Sequence, residues 1–140
     1  MVIVDDHHLF AVLAGHAPPE LQTEAVFTTS CWYYRLARAV HDQGFTGALS
    51  RQVDALDPGG RQLVVDQIDE LPAAIGLLSA RALVPVMAKV AGTVQLNLLA
   101  AEAVSAAVIL DAGLRVVASS PHLQTACERL GIELLVAPTS

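Results

Sequence analysis

The sequence predicts an α/β layer fold, a mainly parallel sheet with helices stacked on both faces, in a single domain over residues 1–140. Three observations carry that prediction. Short runs rich in β-branched residues alternate with longer segments of helical pattern. No long strand alternates polar with apolar residues, and Val2-Ile3-Val4 reads as a buried parallel strand. Glycines stand where the helical segments stop, at Gly15, Gly44, Gly113 and Gly131.

Taken in order, Val2-Ile3-Val4 is a first strand ending at Asp5, and residues 9–14 form a short helix closed by Gly15. Ala17-Pro18-Pro19 reads as loop. Residues 25–29 read as a second strand. Ser30 is then a good N-cap for a helix running to about Gln43. Residues 48–56 suggest a short helix, and Asp57-Pro58-Gly59-Gly60 a turn. Leu63-Val64-Val65 reads as a strand or the start of a loop-rich passage. Residues 73–90 read as mostly helical, with Pro85 at a break or first turn. A small-residue helix is expected over 102–112, a strand over 115–118, a helix from Pro121 through Leu130, and a last strand over 132–136.

A chain of this size buries about 68–70% of its unfolded surface, so it needs no staples. Cys31 and Cys127 lack disulfide or zinc spacing and read as small buried hydrophobes. Charged residues make up only 16% against 54% hydrophobic, an apolar surplus that points to a homodimer interface. The apolar stretch 71–110 is broken by Arg81, Lys89, Gln95, Asn97 and Glu102, which argues against a membrane span. The opening MVIVDDHHLF lacks a basic signal region, so a cytoplasmic protein is expected. A net charge of −6 with scattered basic residues argues against tight, non-specific nucleic-acid binding.

In parallel sheets ligands bind beyond the carboxyl ends of the strands, which singles out Asp5, Asp6, Ser30, Ser119 and Ser120, with Glu102 facing the same crest from a helix start. Asp5-Asp6-His7-His8 reads either as a metal-binding group or as a helix cap, with Asp6 capping and both histidines partly exposed. Trp32-Tyr33-Tyr34 with Arg35 and Arg38 reads either as a base-stacking patch or as packing, with Trp32 and Leu36 in the core and the tyrosines at an interface. Ser119-Ser120-Pro121 reads as a cap, or as a hydroxyl offered to a metal or phosphate.

The opening Val2-Ile3-Val4-Asp5 strand and helix resemble the start of a PIN domain, the fold of the VapC toxin ribonucleases. The stronger likeness runs from Leu98-Leu99-Ala100-Ala101-Glu102 through Asp111-Ala112-Gly113-Leu114-Arg115-Val116-Val117-Ala118-Ser119-Ser120 to Gly131-Ile132-Glu133-Leu134-Leu135. That family's order there is acid, helix, strand, acid, helix, "LGI" and strand, and this stretch resembles it in everything but the acid after the strand. The resemblance implies a three-layer α/β/α fold, an antitoxin protein partner, and RNA cleavage by three or four carboxylates around Mg²⁺ or Mn²⁺.

Residue by residue, the first acid matches Asp5, and the third matches Glu102 where the family usually has Asp. The second falls on Tyr34 or Arg35, and the fourth on Ser119 or Ser120. The expectation is therefore a degenerate or repurposed PIN-like domain with weak or no ribonuclease activity, any ion held by Asp5, Asp6 and Glu102. Arg35 would pair with Asp5 or Glu102 across the old metal site. The alternatives are an active toxin with Asp5 and Glu102 as catalytic residues, assisted by Asp6 or Ser120, and a small metal- or ligand-binding protein.

Overall fold

The computed structural model describes residues 1–42, 44 and 46–139. The chain runs β1 (Val2–Val4), α1 (Asp6–Ala14), α2 (Pro19–Gln22), β2 (Val26–Thr28), α3 (Ser30–His41), α4 (Ala48–Asp54), α5 (Pro58–Asp69), β3 (Gly76–Leu77), α6 (Ala80–Ala91), α7 (Leu98–Leu110), β4 (Gly113–Val116), α8 (Pro121–Leu130) and β5 (Leu134–Val136). The strands form one sheet in the order β3-β2-β1-β4-β5, and every pairing is parallel.

β1 lies at the centre and shows why its residues are all apolar. Successive side chains of a strand point to opposite faces. Ile3 packs with Leu114, Val116 and the buried faces of α6, α7 and α8. Val2 and Val4 pack on the other side against Leu9 and Phe10 of α1, Leu36 of α3, Val53 of α4 and Val64 of α5. Two cores separated by one sheet make the three-layer α/β/α fold. The helix α7 is buried continuously from Ala100 to Ala107, as befits a helix whose small apolar residues surround it on all sides. Among the described residues no helix is long and apolar enough to cross a membrane.

Several elements differ from the sequence expectation. The first helix begins at Asp6 and is capped by Asp5, not by Asp6. Pro19 opens a single helical turn where loop was expected. The cap of α3 is Thr29, whose side chain accepts from the Trp32 amide, so Ser30 is instead the first helical residue. The expected end of that helix at Gln43 lies outside the described residues. Asp57-Pro58-Gly59-Gly60 is no free turn: Asp57 caps α5, Pro58 takes its first position, and the expected strand at Leu63-Val64-Val65 lies inside that helix. The segment 73–90 holds β3 as well as α6, and Pro85 sits within α6. The helix expected from Glu102 starts earlier, at Leu98, under an Asn97 cap. The fourth strand lies two residues earlier than expected, at Gly113–Val116.

Candidate functional site

Strand order reverses between β1 and β4: β2 and β3 extend the sheet one way, β5 the other. Ligand crevices of open α/β sheets form at such a switch point, beyond the strand carboxyl ends. A cavity of about 270 Å³ lies there, lined by Asp5, Asp6, Trp32, Arg35, Asn97, Val117 and Ser120 among others.

Asp5 leaves β1 in extended conformation and is 4% exposed. Its Oδ1 accepts from the His8 amide at 2.9 Å and lies 2.9 Å from His8 Nδ1. Its Oδ2 accepts from the Val117 amide at 2.8 Å, tying the end of β1 to the chain just past β4. Both oxygens are thus engaged, and the charge sits at the positive end of α1. His8 is fully buried, not partly exposed as expected, and its Nε2 has no hydrogen-bond partner.

Asp6 follows at the first helical position, 3% exposed. Its Oδ1 accepts from the His7 amide at 3.0 Å. Its Oδ2 is buried without an aligned hydrogen bond, with Arg35 Nε at ion-pair distance, 3.3 Å. Burial pushes this carboxyl above its ordinary value; Arg35 opposes the rise and the neighbouring Asp5 adds to it. Arg35 therefore pairs with Asp6, where Asp5 or Glu102 was expected as its partner.

Glu102 is the fifth residue of α7 rather than a helix start. It is 8% exposed, and its Oε1 accepts from the Cys31 amide at 2.8 Å, inside the first turn of α3. It is not among the residues lining the cavity. Burial, reinforced by Glu102, pushes the Cys31 thiol up and keeps it protonated; Cys31 is half-buried, whereas Cys127 is buried as expected. Tyr34 points outward, 64% exposed, while Trp32 and Leu36 enter the core. Ser120 caps α8 by accepting from the Leu123 amide, and the Ser119 hydroxyl donates to the Ser120 carbonyl.

The site thus assembles Asp5, Asp6, Arg35 and Ser120, and leaves out Glu102, Tyr34 and Ser119. Among the described residues no three His, Cys, Asp or Glu side chains converge to hold one ion. Asp5 has both oxygens engaged, and Glu102 has one spent on a helix amide. The residues present do not fit a three-carboxylate Mg²⁺ or Mn²⁺ centre. The role of His8 was not foreseen. It stands three residues after the cap, the spacing at which a side chain reaches back in a capping box, and that was the signal in the sequence.

No protein-family model matches this chain, and no curated protein matches it in sequence.

Proposed function

We propose that the chain is a PIN-like domain whose acidic crest has become an internally neutralised pocket, with weak or no metal-dependent ribonuclease activity. The observation that carries this reading is the Arg35–Asp6 pair on the cavity in which Asp5 is already fully hydrogen-bonded. A fixed guanidinium there opposes a divalent cation, and it cannot be discharged at any working pH. The resemblance of residues 1–15 and 98–136 supports the PIN-like part, as does the placement of Asp5 at the switch point. On this reading the protein acts by binding rather than cleavage, as a cytoplasmic homodimer, with an antitoxin-like protein or RNA as the class of partner.

Calorimetric titration of Mn²⁺, beside an RNA cleavage assay, tests it. The expected result is no binding tighter than about 1 mM and no cleavage. Arg35→Glu removes the guanidinium and adds a carboxylate; it is expected to tighten Mn²⁺ binding by about ten-fold or more. Sub-millimolar Mn²⁺ binding by the unaltered chain, with cleavage, both lost in Asp6→Asn, would establish the active toxin reading instead. Mn²⁺ binding without cleavage would favour the small metal-binding protein.

A further inference from the structure

Among the described residues Arg115 is the one buried Lys or Arg. It occupies the third position of β4, in register with Val4 of β1 and Leu135 of β5. Its side chain is 9% exposed, and its Nε is buried with no hydrogen-bond partner. The nearest carboxylate, on Glu20, stands 4.0 Å away from a side chain 68% exposed. That is beyond hydrogen-bond reach, so the pair is loose and solvent-screened. A buried guanidinium cannot shed its proton, and buried charges are ordinarily met by a hydrogen-bonded counter-charge.

Arg115 lines a hollow of about 430 Å³, separate from the Asp5 cavity, with His16, Pro18, Pro19, Glu20 and Pro138 among its walls. That volume lies within the range of small-molecule pockets, about 300–1,000 Å³. Three proline rings make the walls largely apolar. We propose that this hollow is a binding site for a small monocarboxylate with an apolar body, its carboxylate received by the Arg115 guanidinium. The planar fork of a guanidinium matches a carboxylate in a bidentate pair. One fixed positive charge balances one negative charge, whereas a phosphate dianion would also meet the Glu20 carboxylate. Glu20, 4.0 Å from the guanidinium, competes with the ligand carboxylate for it. The inference stands independently of the PIN-like reading, because it uses none of the residues of the Asp5 cavity.

Benzoate is the probe, titrated into the purified full chain and followed by calorimetry and by the NMR signal of the Arg115 Nε–H. Saturable binding with a dissociation constant on the order of 1 mM or tighter is expected. Glu20→Gln is expected to tighten it several-fold, and Arg115→Leu to weaken it by about ten-fold or more. No saturable shift at Arg115, or benzoate binding that survives Arg115→Leu, overturns the site. If Arg115→Leu fails to fold, the exposed Glu20→Gln decides: unchanged or weaker binding there overturns the proposal. Inorganic phosphate binding in place of benzoate overturns the carboxylate class.

Discussion

Asp5 accepts from the His8 amide, the His8 ring and the Val117 amide, so its carboxylate does structural work that no ion is needed to explain. Asp5→Ala removes a helix cap, at about 1 kcal/mol and up to 2, and orphans a half-buried amide, at about 1–3 kcal/mol. A loss of about 2–4 kcal/mol is expected in urea unfolding without divalent ions. A carboxylate reserved for a metal would give the opposite result, since removing it would relieve repulsion with Asp6. Asp6 itself is held above its ordinary carboxyl value of 3.8, chiefly by burial. Between that value and its folded one, the native state binds more protons than the unfolded chain, so its contribution to stability falls as pH rises through the window. Asp6→Asn is expected to flatten that fall, and to match or exceed the unaltered chain at neutral pH, because the partly solvated Arg35 loses little. A steeper decline with rising pH in Asp6→Asn would contradict the burial account.

The edge strand β3 is two residues long and pairs with β2 at both positions. Gly76 lies opposite Phe27 of β2, and a Cβ at Gly76 would fall 2.3 Å from the Phe27 ring. The ring covers the bare glycine, so a side chain added there must displace it. Gly76→Ala is therefore expected to cost about 1–3 kcal/mol as overpacking, read by thermal unfolding, with amide exchange rising first at residues 76–77; an unchanged melting temperature would show that Phe27 swings aside freely. That contact explains why β3 was illegible in the sequence. A two-residue strand has no periodicity to read, and its flanks look helical. The strands β1 and β2 were legible because their buried β-branched runs have no other use, and α8 was legible because Ser120-Pro121 and Gly131 bracket it. The Asp57-Pro58-Gly59-Gly60 segment misled because proline and glycine suit a turn as well as they suit the first turn of a helix. Asp57 settles it by accepting from the Gly60 amide. At the crest, Asp5 was legible as the acid that ends a central strand, but which way Arg35 and Tyr34 faced depended on how α3 leans. With Trp32 drawn into one core and Leu36 into the other, Arg35 is left at the cavity and Tyr34 in solvent.

For the whole molecule, the apolar surplus has not all gone inside. Val108 and Ile109 at the end of α7 and Leu130 at the end of α8 remain exposed, and Val108 and Leu130 share one hollow of about 300 Å³ with Ile132. If the chain forms the proposed homodimer and uses this face, each side chain is buried twice across a two-fold axis. Burying one aliphatic side chain contributes about 1.5–3 kcal/mol. With Ile109 only 38% exposed, about a third of that remains to be gained in each copy, so Ile109→Lys alone should weaken association by about ten-fold or more, measured by sedimentation equilibrium. Two copies each carrying a charge of −6 repel at long range, so a dimer held by apolar contact should tighten as salt rises to about 0.5 M and the repulsion is screened. An interface built on ion pairs would loosen instead. A dimer indifferent to Ile109→Lys would place the interface on another exposed apolar face, of which the β5 edge, with Leu135 and Val136 open to solvent, is the next to test by substitution.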